Sequence, residues 1–514
     1  MNKTLLVSIA LMALMMNSFS QNIEEGKLQH ESINDGKVRN VIFILSDDHR
    51  WDFMGFTGKI PWLKTPAMDR LAREGVFCRN TYVTTSLCSP SRASILTGLY
   101  SHSHTVVDNS APVPEGLTYF PQYIQEAGYK TAFFGKWHMG DQDDQPRPGF
   151  DHWESFRGQG TYYSPRLNIN GERIKYADST YITDLLTDHA IDWMEQQNGK
   201  EPFFLYLSHK AVHAGFNPAR RHEGMYKDEI YTLPASYAMT TEDKVGLLKQ
   251  DNLHNPDYDY GEGNLPDWVK EQRFSWHGVN YMYHQRDFKL EELVRIYCEA
   301  LMAVDESISS IMNYLEANGL LESTLVIYMG DNGFSFGEHG LIDKRHFYEE
   351  SAKVPLLIHC PEQFKGDMVE KHLVQNIDIA PTILESFGIP KPDHMQGLSL
   401  IPLLKGEEPE WRDRVFYEYY WEHHYPQTPT VHGVRTDKYK LMRYFGVWDR
   451  NELYDMENDP EEMNNLIDSP EHKQVVSELS SEIYDWLENT DGMQIPLKRI
   501  TRGRYGDYRN TGVQ

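Results

Sequence analysis

The chain has 514 residues, 40% hydrophobic and 25% charged, enough for one large core plus a smaller domain. Its formal net charge of −26 disfavours nucleic acid or an anionic membrane surface as the main partner, because both need a basic face. An anionic substrate would therefore need a local positive cluster set against the global field.

Met1 to about Gln21 joins Lys3 to an apolar run from Leu5 to Met16 and to the small residues Ser18 and Ser20, the pattern of a signal peptide too short to span a membrane. The expected product is exported, periplasmic or secreted, and soluble, with no lipid anchor and no membrane insertion. Val38 to Ser46 is a nearly continuous β-branched run, which predicts a strand buried on both faces, and it ends in Asp47-Asp48. Thr65-Pro66 predicts a helix start with Thr65 as cap, and Gly75 its end. Further strands are predicted at 77–84, 130–134, 203–208, 324–329 and 354–359. Amphipathic helices are predicted at 181–197 and 289–318. This alternation predicts an α/β fold with a large, mostly parallel sheet between helices, over residues 38–410. Within it, 215–288 loses the pattern and reads as an insertion, either a lid or a peripheral subdomain. From 411 to 490, aromatic strands and an amphipathic helix near 475–487 predict a small antiparallel sheet with a packed helix, an α+β subdomain, followed by a tail at 491–514.

Polar groups fall at the carboxyl ends of the predicted strands: Asp47 and Asp48, Cys88, Lys136 and His138, His209 and His213, Asp331 and Asn332. In open α/β sheets ligands bind at that edge. Cys88 stands where a strand hands over to a helix, with Pro90 in the first turn and Arg92 one turn in. Either this is a reactive thiol facing an anion, or a capped helix with a buried cysteine. The two Asp/Asn pairs offer oxygen donors suited to a hard cation, Ca²⁺ or Mg²⁺, or they cap turns. Alternation in an extended segment puts Lys136 and His138 on one side, within reach of one anion. His213 is a general acid or a packing histidine. Lys344, in the run Gly337 to Arg345, is a further cation. The four cysteines (Cys78, Cys88, Cys298, Cys360) are too few for a disulfide framework, and both pairing and free thiols stay open.

Cys88-Ser89-Pro90-Ser91-Arg92 with Thr97-Gly98 resembles the sulfatase signature C-x-P-S-R followed by T-G. The Asp-Asp after the first strand, Gly135-Lys136-Trp137-His138, and Asp331-Asn332-Gly333 followed by Gly337-Glu338-His339-Gly340-Leu341 are similar to further blocks of that family, in order. Arg435 to Leu441 and Leu453 to Leu466 resemble its C-terminal part. The resemblance implies an alkaline-phosphatase-like fold, Cys88 converted to Cα-formylglycine by a maturing enzyme, and Ca²⁺ bound by Asp47, Asp48, Asp331 and Asn332 beside Cys88. It also implies that Arg92 holds the aldehyde hydrate, that Lys136, His138, His213 and Lys344 surround the sulfate, that His213 protonates the leaving alcohol, and that His138 helps expel sulfate. The implied substrate is a sulfate ester on a sugar of a sulfated polysaccharide. The runner-up is a phosphodiesterase or phosphonate monoester hydrolase, and a reading from another class is a silent protein that binds sulfated glycans. Two departures stand out: Gly215 occupies a position where the family often has proline, and 215–288 has no counterpart.

Overall fold

The computed structural model describes residues 40–140, 143–197, 202–239, 266–272, 275, 278–279, 289–422, 425–446 and 450–494. The signal peptide expected at 1–21, residues 240–265 of the insertion and nearly all of the tail fall outside these. Ten strands form the main sheet: β1 (Val41–Ser46), β2 (Val76–Tyr82), β3 (Lys130–Gly135), β4 (His152–Ser155), β5 (Arg166–Ile169), β6 (Glu172–Lys175), β7 (Phe203–Ser208), β8 (Leu325–Gly330), β11 (Leu356–His359) and β12 (Met368–Gln375). A two-stranded hairpin, β9 (Ser335–Phe336) and β10 (Ile342–Asp343), leaves β8. The sheet order is β12-β2-β11-β8-β1-β7-β3-β4-β5-β6. β8, β1, β7, β3 and β4 are parallel neighbours, while β11 and the β5–β6 edge run antiparallel.

Every residue of β1 is buried. Ile42 and Ile44 join one apolar layer, and Val41, Phe43 and Leu45 the other, the alternation that a strand covered on both faces requires. Helices α1 (Pro66–Glu74), α3 (Ile182–Gln196) and α4 (Leu290–Ala317) cover the first layer. Helix α2 (Cys88–Thr97) packs Ala93, Ile95 and Leu96 into the second. Thr65 does precede α1, but its hydroxyl accepts from the Gly55 amide (2.8 Å) and donates to Asp69 (2.9 Å) rather than capping the helix.

The antiparallel sheet β13 (Arg414–Tyr419), β14 (Thr430–Thr436), β15 (Tyr439–Phe445) and β16 (Glu452–Asp455) carries helix α5 (Lys473–Asn489) on one face. The predicted architecture, a mostly parallel sheet within helices plus a small α+β unit, is the observed one. β4, the β5–β6 edge, the β9–β10 hairpin, β12 and β16 are not predicted by the sequence pattern. β6 (Glu-Arg-Ile-Lys) is exposed at every position and has Ile174 as its one apolar residue, so no hydrophobic pattern marks it.

Candidate active site

Because β8, β1, β7 and β3 are adjacent and parallel, the residues just past them emerge at one edge. Asp47 and Asp48 follow β1, Asp331 and Asn332 follow β8, Lys136 and His138 follow β3, and His213 lies beyond β7. β2 leads through a short loop into α2, whose first residue is Cys88. Cys88 Sγ donates to Asp47 Oδ1 at 3.4 Å, lies 4.0 Å from Asp48 Oδ1, and accepts from Lys344 Nζ at 3.1 Å. Lys344 Nζ also contacts Asp48 Oδ1. Lys136 Nζ contacts Asp47 Oδ2 and donates to Gln159 Oε1 at 2.6 Å. Arg92 donates to Asp331 Oδ2 (2.9 Å), the Lys136 carbonyl (2.8 Å) and Ser208 Oγ (2.6 Å), so it ties α2 to three strand ends.

Donor atoms of Asp47, Asp48 and Asp331 lie within 4.8 Å of one another, and those of Asp47, Cys88 and His213 converge equally closely. Asn332 Nδ2 donates to Asp48 Oδ1 at 2.7 Å, which leaves Asn332 Oδ1 and Asp48 Oδ2 buried without a hydrogen bond. Two orphaned buried acceptors beside three carboxylates fit a hard, oxygen-seeking cation. Asp48 is held at a φ of 55°, which an aspartate tolerates better than most residues.

The charges explain one another. Burial, then Asp47, pushes the Asp331 carboxyl up to about 7 despite Arg92. Burial also raises Asp48, against the pull of Lys344. It works on Asp47 as well, yet Lys136, His213, Arg92 and Lys344 hold that carboxyl well below the usual range. His138 and His213 are both pushed well below 6.5, chiefly by burial and with Lys136 adding to it, so both rings are neutral near pH 7.

One expectation changes and two open alternatives close. The helix start does not make Cys88 a thiolate: burial and Asp47 push the thiol up to about 12, against Lys136 and Lys344, and the Ser89 amide is already taken by Asn109 Oδ1 (3.0 Å). Lys136 and His138 do meet at the site, but not through extended alternation, since Gly135 has φ 110° and His138 φ 57°. Gly135 is required there because a Cβ would lie 1.9 Å from the Ser208 carbonyl oxygen. All four cysteines are free and buried.

The sequence reading missed Gln159 and Lys210. Lys210 is 4% exposed, and its ammonium stands 4.7 Å from the Tyr162 ring centroid with no hydrogen bond or ion pair among the described residues. Burial, then Lys136, lowers it to about 8, with Asp47, Asp48 and Cys88 opposing. Its place past β7, between His209 and His213, was the available signal. His209 itself turns away and pairs with Ser307 Oγ at 3.0 Å. Lys344 is presented between two residues of positive φ, Asp343 (93°) and Arg345 (86°). Arg345 is anchored by Glu422 Oε1 at 2.9 Å and stacks 3.4 Å from Tyr425, so the C-terminal unit braces this lysine.

The sulfatase family profile matches residues 39–389, and the profile of the N-sulphoglucosamine sulphohydrolase C-terminal region matches 337–489. An N-acetylglucosamine-6-O-sulfatase from Bacteroides thetaiotaomicron is 34% identical over 86% of this chain and 85% of its own length. A structure of a protein in complex with its substrate D-glucosamine-2-N,6-O-disulfate superposes with TM-score 0.76 at 32% identity, over 90% of this chain and 100% of that one. A phosphonate monoester hydrolase from Silicibacter pomeroyi, at 23% identity over 88% and 96% of the two chains and TM-score 0.71, shares the fold. The chain belongs to the sulfatase family and is a sulfuric ester hydrolase.

Proposed function

We propose that the protein hydrolyses the 6-O-sulfate ester of N-acetylglucosamine or glucosamine units in a sulfated polysaccharide or its oligosaccharides. The observation that carries this reading is the placement of Cys88 against Asp47, Asp48 and Lys344 at the carboxyl edge of the sheet. The similarity to N-acetylglucosamine-6-sulfatases supports the choice of sugar. Cys88 carries the nucleophile, matured to Cα-formylglycine by a formylglycine-generating or anaerobic maturing enzyme. Hydrated by water, the aldehyde would offer one hydroxyl as the nucleophile, and loss of the proton from its second hydroxyl would expel sulfate and restore the aldehyde, a release for which serine has no second hydroxyl. Asp47, Asp48, Asp331 and Asn332 hold Ca²⁺, with Cys88 beside them, and the ion supplies charge neutralisation and orientation at the sulfate.

The chain's own groups do the rest. Lys136 and Lys344 neutralise charge on the sulfate oxygens, and Lys210, lacking any hydrogen-bond or ion-pair partner among the described residues, adds a third ammonium on the Tyr162 side. Arg92 fixes Asp331 and the carbonyl of Lys136, and so sets the position of α2. His213 is neutral in the free site. An incoming anion raises its proton affinity, which suits it to protonate the departing sugar oxygen. His138, also neutral, is the base for the step that releases sulfate. A leader at 1–21 directs the protein to the periplasm or beyond.

The test is sulfate release from N-acetylglucosamine-6-O-sulfate by protein from its native host, compared with phosphate monoesters, phosphodiesters and phosphonate monoesters. Preferential sulfate release is expected, and a preference for phosphodiesters or phosphonates overturns the reading. Mass spectrometry of the Cys88 peptide should show the aldehyde. An unmodified thiol in native-host protein, with no turnover, would favour a silent glycan-binding protein.

A further inference from the structure

Beyond β3, the sheet carries a charge pattern opposite to that of the whole chain. A cavity of about 330 Å³ is walled by Arg157, Arg166, Arg173 and Lys175, with Asp144 the one carboxylate among its described lining residues. Register explains why these cations converge. β4 runs parallel to β3, so Arg157, just past Ser155, leaves at the same edge as Lys136. β5 returns antiparallel with Asn168 opposite Ser155, which puts Arg166 at that edge. On β6, Lys175 pairs with Arg166 and Arg173 with Asn168, so all three cations share one face. At about 4.8 Å between strands, β5 and β6 stand roughly 10–14 Å from the strand that delivers Lys136.

The cavity is joined to the catalytic edge by one loop. Gly160 lines it, while the adjacent Gln159 accepts from Lys136 Nζ at 2.6 Å. Its charge is not internally cancelled. Asp144 contacts Arg173 and lies 3.7 Å from Arg157, whereas Arg166 and Lys175 form no ion pair among the described residues. In a chain of net charge −26, such a patch attracts anions only at close range, within about a Debye length of 8–10 Å.

We propose that this cavity is a second anion subsite, which takes an ionised substituent, carboxylate or sulfate, on a sugar unit next to the one bearing the scissile ester. The proposal rests on the sulfatase reading of the Cys88 site and narrows the substrate to a polyanionic oligosaccharide.

The test uses three substrates: N-acetylglucosamine-6-O-sulfate, a tetrasaccharide in which that terminal unit is followed by a uronate, and the same tetrasaccharide with its uronate methyl-esterified. A fourth, with the methyl-esterified uronate 2-O-sulfated, separates carboxylate from sulfate as the preferred anion. The unmodified protein should show a KM for the free uronate about tenfold below that for the ester, a ratio worth about 1.4 kcal/mol. Arg166→Ala/Lys175→Ala should bring the ratio close to one, and Arg166→Lys/Lys175→Arg should restore it. A ratio unchanged in the alanine variant overturns the subsite while sulfate release leaves the sulfatase reading intact. If no substrate is turned over, the substrate reading fails, and calorimetric affinities for the same tetrasaccharides still decide the subsite by the same ratio.

Discussion

Two of the buried ionic clusters among the described residues make a contrast: one gathers carboxylates around a thiol, the other around a lysine. Around Cys88, three carboxylates converge within 4.8 Å beside Lys136, Lys344 and Arg92. Beneath the C-terminal sheet, Lys440 Nζ meets Glu349 Oε1 at 2.7 Å, Glu462 Oε1 at 2.8 Å and the Phe347 carbonyl at 2.9 Å. Titration does not tell them apart. Burial raises the Glu349 carboxyl, but Lys440, Lys353 and Arg435 outweigh it and hold the group at about 2. Burial pushes Glu462 up to about 7, the same value to which burial brings Asp331. The difference is in what is left over. Lys440 spends its donors at the centre of its cluster, where no three carboxylates converge among the described residues. At the strand ends, Asp48 Oδ2 and Asn332 Oδ1 have no hydrogen bond and face no cation among the described residues, whereas Glu349 Oε1 and Glu462 Oε1, which also lack an aligned hydrogen bond, each face the Lys440 ammonium. A shifted pKa marks buried charge, and unused acceptors at a sheet edge mark a site.

The sharpest way to break this contrast is a pair of substitutions. Cys88→Ala should cut turnover at least about a thousandfold while the urea unfolding curve stays close to that of the unmodified protein. Lys440→Met should do the reverse: it strands two buried carboxylates at a cost of about 3–5 kcal/mol, read from the urea midpoint, with activity per folded molecule retained. If Lys440→Met abolishes the activity of folded protein, the second cluster is not merely structural.

Metal removal comes next. Chelation should lower both activity and Tm, and at a free ion concentration of 100 Kd the lost stabilisation is about 2.7 kcal/mol. Asp48→Ala should lose the Tm response to chelator, and an unchanged response would show that the orphaned acceptors hold no ion.

Lys210→Met tests whether the unpaired ammonium past β7 belongs to the site. KM for the sulfate ester should rise about tenfold, worth about 1.4 kcal/mol, with Lys210→Arg recovering most of it. An unchanged KM would make Lys210 a packing residue over Tyr162.

An effect of similar size concerns the bridge between the two units. His102 Nδ1 is 2.8 Å from Glu418 Oε2. Burial opposes the charge on His102, but Glu418 raises its pKa above the ordinary value, and Glu418 is lowered in turn by His102 despite its own burial. The raised histidine stabilises fully below its unfolded pKa of about 6.5 and loses that contribution as pH climbs through its folded value. The lowered glutamate contributes above its unfolded pKa of about 4.3 and loses it as pH falls. His102→Gln should therefore cost about 1–2 kcal/mol between roughly pH 5 and 6, and less at pH 8.5, read as ΔTm. An equal cost at both pH values would show that the pair contributes as a neutral hydrogen bond.

The sequence alone determined the parallel core and the motif residues at its carboxyl edge. A short, β-branched apolar run such as Val41 to Leu45 favours a strand covered on both faces, and in a parallel sheet the residues just past such strands share one edge. It also carried the order Asp47-Asp48, Cys88, Lys136, Asp331, Lys344, since these stand next to local signals of strand, helix start and turn. Tertiary structure decided the rest. That Cys88 is a protonated thiol depends on burial and on Asp47, across 41 positions of sequence. That Lys344 is aimed at Cys88 depends on Arg345 being held by Glu422 from the C-terminal unit. Lys210 had only its place past β7 as a signal, and Gln159 and the cations of β5 and β6 carry no local signature at all, because register and strand order, not neighbouring residues, bring them to the Cys88 edge.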